Sequence, residues 1–267
     1  MPIPKHLKSA SADIAGALRH LPLVGLLAWQ DVKQRYRRSL LGPFWLTISM
    51  GVMIGSIFMV FGQIFDVSMD EFLPFLAIGL ILWTLLSSVL SEACTAFIGA
   101  ESIIKQLPLP LFVHVLRMMW RNLLIFLHNL VIVPLLFLAL GKGLGWEALL
   151  AIPGLLLLVL NLAWIALVLG VLCTRYRDLA QIVGSILQVM FYLTPIMWMP
   201  GLLPERAGRF LLALNPLFHW FETVRGPLLG QPPSLHSWLV CGAMAVFGWV
   251  VALAFFGRHR ARIAYWL

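Results

Sequence analysis

The 267 residues carry only 11% charged side chains against 61% apolar ones, with a mean hydropathy of +0.94 and a net charge of +8. Soluble domains hold roughly 25% charged residues, so this chain cannot cover a water-facing surface and lipid must be its solvent. Seven His and three Cys are scattered with no C-x-x-C and no His-x-x-x-His, which argues against a zinc site or a disulfide framework.

The first long apolar run begins after residue 43, behind an extended basic region. It is too long and too late for a cleavable signal peptide, and none is expected. Ahead of it, at about 100° per residue, Leu21, Gly25, Ala28, Trp29, Val32 and Tyr36 fall on one helical face. Gln30, Lys33, Gln34, Arg37 and Arg38 fall opposite. This pattern predicts a helix lying in the membrane interface, apolar face in lipid and cations at the head groups. It ends in Arg35, Tyr36, Arg37 and Arg38, and Gly42-Pro43 then turns the chain into the bilayer, because the first helical position needs no N–H donor. The cluster reads either as a topology anchor or as an entrance for a phosphate-bearing lipid, since an Arg fork binds phosphate bidentately.

A helix needs about 20 apolar residues to cross the hydrocarbon core. Six stretches qualify: 43–65, 72–97, 118–140, 148–172, 179–199 and 237–257. The expected fold is therefore an all-α integral membrane protein of six transmembrane helices. An N-terminal region spans 1–42, the membrane domain 43–257 and a basic tail 258–267. An even number of crossings places both termini on one side. Fifteen of the nineteen Lys and Arg fall there, and the first opposite loop holds Asp66, Asp70 and Glu71 with no cation. Both termini are thus expected in the cytoplasm. This asymmetry accounts for the net charge, and no nucleic-acid partner is expected.

Between the second and third spans, Pro108 and Pro110 forbid one continuous helix from Glu101 onward. A short amphipathic helix carrying Glu101, Lys105 and Gln106 would suit a soluble partner as a lever; an ordinary turn is the alternative. His114, Arg117 and Arg121 follow on one helical face, placed to snorkel to the interface or to touch phosphate. Glu92, inside the second span, is a functional candidate unless a nearby Arg neutralises it or it lies close enough to the interface to stay wet. Gly51 and Gly55 allow close helix packing. The stretch 200–236 is too long for a turn and too polar to span. Its prolines isolate two apolar pieces, 205–213 and 217–229, which predict short re-entrant helices turning at Asn215-Pro216. Broken backbone at membrane depth must be buried in protein or line a cavity, so this is read as an outer gate that includes Arg225, or else as a loose loop. Phe44, Trp45, Phe191, Tyr192 and Trp198 belong to an aromatic set near the interfaces, as belt anchors or as stacking surfaces for sugars.

No G-x-S-x-G, H-E-x-x-H, carboxylate pair on one helical face or Walker A loop is present. The chain lacks the several buried ionisable groups of a proton-driven carrier and any internal repeat. It resembles the membrane subunit of type-2 ABC exporters, of the O-antigen and capsular polysaccharide branch. The residues that carry the resemblance are Asp31-Val-Lys33-x-Arg35-Tyr36-Arg37-x-Ser39-x-Leu41-Gly42-x-x-Trp45, the Lys105–Pro110 loop, Arg175-Tyr176-Arg177-Asp178-Leu179 with Gln181, Thr194-Pro195-Ile196, Asn215-Pro216, Arg225-Gly226 and the Arg262…Trp266 tail. Relatives often have a proline where Met50 stands, which leaves a kink in the first span unsupported.

The resemblance implies a homodimer in the bacterial inner membrane carrying two copies of a cytoplasmic ATP-binding subunit. ATP and Mg would bind that partner, with no cofactor in this chain and no catalysis by it. The cargo implied is a glycan on undecaprenyl diphosphate. Arg35–Arg38 would receive the diphosphate, Phe44, Trp45, Phe191, Tyr192 and Trp198 would line the glycan path, and Glu101–Pro110 would couple to the ATPase. Asn215, Pro216 and Arg225 would form the outer gate. Rival readings are export of teichoic acid, a drug or a lipid by the same family, and a membrane enzyme acting on polyprenyl phosphate.

Overall fold

A computed structural model describes residues 5–37, 44–65, 68–202 and 204–267. Twelve α-helices form among them, with no strand. Two precede the first apolar run: α1 (Lys5–Arg19) and α2 (Leu21–Tyr36). Then come α3 (Phe44–Phe65), α4 (Met69–Ala93), the short α5 (Glu101–Gln106), α6 (Phe112–Leu130) and α7 (Ile132–Ala139). The chain continues through α8 (Ala151–Arg175), α9 (Leu179–Leu193), α10 (Glu205–Leu214), α11 (Pro216–Leu228) and α12 (Leu235–Trp266).

Five helical stretches are long and apolar enough to cross a membrane: Phe44–Ile64, Met69–Ala93, Phe112–Ala139, Trp146–Arg175 and Leu235–Trp266. The expected span 179–199 is helical only over the fifteen residues Leu179–Leu193. Pro195 pushes Thr194 into extended backbone, and the helix stops there. Two other boundaries move. The last helix does not end at 257 but runs to Trp266, so the basic residues 258–266 belong to it. The third span starts at Phe112, six residues before expectation, because its first N–H groups find an acceptor elsewhere in the fold. Both short pieces of 200–236 are helical, as α10 and α11, and they meet at Asn215.

The core is organised around α4. Of its most apolar window 78% is buried, against 11% for α3. α4 packs against α3, α6, α8, α9 and α11, while α12 lies along α8 and receives α1 near its C-terminal end. Prolines shape the spans where they occur. Pro134 cannot donate to Leu130, and α6 hands over to α7 at Val131. Pro74 likewise leaves the Asp70 carbonyl without its helical donor, and Lys142 Nζ supplies one at 2.6 Å. In α11, Pro227 frees the Thr223 carbonyl, and Gly154 of α8 packs directly on it; a Cβ there would collide with the Thr223 oxygen. Gly154→Ala should therefore push α8 from α11 and cost about 1–3 kcal/mol. The measurement is thermal unfolding in detergent, and an unchanged Tm would refute this close approach.

Candidate functional site: two ends of a helical bundle

At the end of the bundle where both ends of the described chain lie, α1, α12 and the start of α6 are joined by Asp13. Its side chain is fully buried, with 0% of its surface accessible. Asp13 accepts from the backbone N–H groups of Leu111 (3.1 Å) and Phe112 (3.0 Å), so it caps α6 from a distant helix. It also accepts from Arg260 Nε of α12 at 2.7 Å. Beside it, Gly16 packs against Pro110, where a Cβ would stand 3.1 Å from the ring. The segment between α5 and α6 is thus pinned at its downstream end by α1. α5 itself buries no residue, and its Glu101 and Lys105 pair with each other at 2.6 Å on the exposed face. Gln106 is exposed as well, and Pro108 follows in the extended segment.

A second ionic cluster lies further into the bundle. Asp31 of α2 accepts from Arg117 Nε at 2.8 Å, from Arg117 Nη2 and from Arg121 Nη1 at 3.1 Å. Arg121 also donates to Glu92 Oε2 of α4 at 2.6 Å, and Asn122 Nδ2 donates to the same oxygen at 2.6 Å. Burial alone would raise the Asp31 carboxyl, but its bonds and proximity to Arg117 and Arg121 outweigh that and hold it below its usual 3.8. The cluster borders a cavity of about 140 Å³ lined by Asp31, His114, Arg117 and Arg121. Arg117 and Arg121 therefore serve as ion-pair partners across three helices. Glu92 is neutralised by Arg121, one of the three readings open in the sequence. The polar face of α2 is exposed at Gln30, Lys33, Gln34 and Arg37 as expected, whereas Val24, Ala28 and Val32 are buried against protein. Only part of its apolar side, including Leu21 and Trp29, is left to lipid.

The entrance residues are only partly placed. Arg37 follows α2 and is exposed. Arg35 and Tyr36 belong to the last turn of α2 but their side chains lie outside the described part, and Arg38 lies outside the described residues. The five aromatics divide into two groups. Phe44 and Trp45 open α3, both mostly exposed, with Phe44 edge-on to His128. Phe191 packs on Trp83 at 5.2 Å and on Tyr192 at 5.5 Å, and Trp198 Nε1 donates to the Tyr192 carbonyl at 3.1 Å. Near that second group, α3, α4 and α9 enclose a cavity of about 380 Å³, lined by Trp83, Ser87, Ser91, Gln188, Phe191 and Tyr192 among others.

The residues expected to form an outer gate, Asn215, Pro216 and Arg225, all meet one turn. Asn215 Oδ1 caps α11 by accepting from Leu217 N and Phe218 N, with Pro216 at the first helical position. Asn215 Nδ2 reaches back to the Leu193 carbonyl (3.3 Å) and Thr194 Oγ1 (3.0 Å). From the other end of α11, Arg225 Nη1 donates to the Pro195 carbonyl at 2.7 Å, with its guanidinium 3.8 Å above the Phe75 ring. The turn that ends α9 is thus held by both ends of α11. Sequence reading missed Asp13, Lys142 and Glu222. For Asp13 a signal existed, since it is the lone acid between Ala10 and Ala17 on the buried face of α1.

These features define a multi-pass helical membrane protein, with a fastened soluble face at one end and a braced pair of short helices at the other. The model of the family described as ABC-2 type transporter matches residues 22–229, and the chain belongs to that family. It is a transport component. Among curated relatives it is similar to an O-antigen export system permease protein RfbA of Klebsiella pneumoniae, 25% identical over 247 residues, covering 91% of this chain and 93% of the relative. A protein of the same name from Myxococcus xanthus is 26% identical over 197 residues, covering 72% and 74%. A second such protein from Klebsiella pneumoniae is 27% identical over 249 residues, covering 91% and 93%.

Proposed function

We propose that this chain is the permease of an exporter that carries an undecaprenyl-diphosphate-linked polysaccharide, O-antigen or capsule, outward across the bacterial inner membrane. It acts as a homodimer driven by two copies of a separate ATPase subunit, which holds ATP and Mg. The observation that carries this reading is the open, mostly apolar and aromatic cavity between α3, α4 and α9, on whose wall three polar side chains stand. In a chain solvated by lipid, Ser91 and Gln188 on this wall are polar groups that water or cargo can meet, while Ser87 Oγ donates to the Thr84 carbonyl at 3.4 Å. α3 and α9 leave most of their surface uncovered, so one chain supplies half of such a path and a second copy closes it. The curated relatives bear the name of O-antigen export permeases, which directs the reading toward a glycan.

The course of the chain supports six crossings. Arg175, at the end of α8, stands over the Trp266 ring at 5.4 Å, near the chain's last residues. α12 begins near the opposite end, where Ser237 meets His219. The chain must traverse between them, and α9 with the turn after it is the segment available. Both termini then share one side, the cytoplasm by the charge rule. α5 is the lever for the ATPase, and α10 and α11 are the outer gate. Arg35, Arg37 and Arg38 receive the lipid diphosphate.

The test is copurification of the tagged chain from its native membrane. A soluble ATPase should accompany it, and lipid-linked glycan should raise the ATPase rate. A chain that brings down no ATPase would falsify the proposal. Replacing Arg35, Arg37 and Arg38 together with Ala should lower export at least tenfold at unchanged expression, because bidentate phosphate contacts are lost. Undiminished export would remove the diphosphate role while leaving the transporter intact.

A further inference from the structure

At the end of the spans far from Asp31, the structure holds a cavity of about 760 Å³. That is within the range of roughly 300–1,000 Å³ typical of small-molecule sites. α4 contributes Asp70 and Glu71, the loop after α7 Lys142, α11 Glu222 and Arg225, and the turn before α12 Gln231. Three carboxylates thus face two cations and one amide, so neither sign dominates the lining. Such walls bind poorly to a bare anion or cation. They suit a molecule that presents many hydroxyls, each both donor and acceptor, because carboxylates accept from hydroxyls while the ammonium, guanidinium and amide donate to them. Phe75, Phe218 and Met199 add apolar surface between these groups, as the C–H faces of sugar rings require.

The two cations are held in place before any ligand arrives. Lys142 Nζ is fixed by the Asp70 carbonyl that Pro74 releases, at 2.6 Å. Arg225 is 4% exposed and tied to Pro195 and Phe75, yet it also forms part of the cavity wall. Gln231 is drawn in by its N–H bond to the Gly226 carbonyl at 2.8 Å, across a turn that Gly230 makes with φ of 75°. A Cβ on Gly226 would come within 2.8 Å of the Gln231 oxygen, so glycine is what lets this turn close over the cavity. Preorganised donors and acceptors lose little freedom on binding.

We infer that this cavity is a saccharide site that holds a short run of the exported glycan as it leaves the spans, separate from the cavity between α3, α4 and α9. The inference rests on the export reading above, and it adds where the chain's own walls grip sugar rather than lipid diphosphate. Because the Arg225 and Asn215 contacts brace the turn after α9, a sugar in this site would sit against the element that ends that helix.

The test uses the full transporter with its ATPase in nanodiscs. The probe is the polysaccharide freed from its carrier by mild acid, so that it carries neither lipid nor diphosphate. Wild type should bind it, and Glu222→Gln, with Tm unchanged, and Lys142→Met, which also takes the donor from the Asp70 carbonyl, should each weaken binding at least tenfold. Glu71→Gln, on the rim, should weaken it less and guards against a fold defect in the other two. Binding equal to wild type in all three variants overturns the site. So does an absence of wild-type binding, or capture of glycerophosphoethanolamine in place of the polysaccharide, which would mark a phospholipid head-group site. The readings separate through ATPase stimulation by lipid-linked glycan. If stimulation is intact and the variants bind normally, only the cavity assignment fails. If stimulation is absent in wild type, the export reading itself fails.

Discussion

Asp13→Ala is expected to unfasten the end of the molecule where α1, α6 and α12 meet, at a cost of about 3–5 kcal/mol. The reason is the number of groups left stranded. The two backbone N–H groups at the start of α6 lose their acceptors in a buried place, and Arg260 loses its carboxylate. Each buried donor without a partner costs about 1–3 kcal/mol. Asn at this position keeps one acceptor oxygen and should recover part of the loss. Arg260→Met should cost less, about 1–3 kcal/mol, because the fully buried Asp13 carboxylate loses its cation but keeps the two backbone N–H donors of α6. The consequence reaches beyond stability. Asp13 and Gly16 fix the segment that follows α5, so a displacement of α5 is passed to α6 through a stiff joint. With Asp13→Ala, ATP turnover should continue while export per ATP falls. Thermal unfolding and the ratio of export to ATP hydrolysis check the two halves. A Tm equal to wild type would refute the clasp.

How much of this was legible in the sequence follows from what kind of contact each element depends on. The apolar runs and the proline-bounded pieces 205–213 and 217–229 depend on local composition, and helices appear at each of them. At the start of α6 and the end of α12, where boundaries moved, a distant group intervened. α6 gains its first turn from Asp13, 98 and 99 residues away in sequence. α12 outruns its apolar stretch because its basic end packs on α1, where Arg260 finds Asp13 and Gly257 lies against the His6 carbonyl. α4 begins at Met69 rather than 72, with Asp70 and Glu71 in its first turn where the helix dipole favours acids. For the candidate sites, periodicity placed His114, Arg117 and Arg121 on one face but could not say what that face meets. The answer, Asp31 and Glu92, is set by the packing of α2 and α4 on α6. Asn215, Pro216 and Arg225 were visible as a motif; that both ends of α11 hold the turn after α9 was not. Phe44 and Trp45 lie at the start of α3, while Phe191 and Tyr192 line the cavity, a division that reflects three-dimensional order rather than residue type.

Removing Asp31 from the Asp31–Arg117–Arg121–Glu92 cluster should be nearly as damaging as losing Asp13, about 3 kcal/mol, because it takes the carboxylate from both arginines, whereas loss of another member leaves the remaining charges with a partner and costs about 1–3 kcal/mol. The side chains are 13–25% accessible, so water can relieve some of that cost and the lower figure is expected for Glu92→Leu. Arg121 bridges Asp31 and Glu92, and Arg121→Met takes a cation from both acids, leaving Asp31 with Arg117 and Glu92 with Asn122. Pairing it with Glu92→Leu should return part of the loss, because two charges then leave together. A double-mutant cycle of Glu92 and Arg121 should give a coupling of about 1–3 kcal/mol; additive losses would show that the two do not act as a pair. The acid limb of the unfolding profile supplies an independent readout. With its folded pKa held below the usual 3.8, Asp31 binds its proton more readily in the unfolded chain. Its contribution is therefore fully present above 3.8 and is lost as the pH falls through the lower folded value. Asp31→Asn should remove that part of the acid sensitivity and should lower Tm at neutral pH, since Arg117 then keeps only a neutral partner. Because the cluster ties α2, with its exposed Arg37, to the two spans beside α5, Asp31→Asn should also weaken the response of ATP hydrolysis to lipid-linked glycan. An Asp31→Asn protein with wild-type acid unfolding would show that Arg117 and Arg121 do not hold this carboxylate.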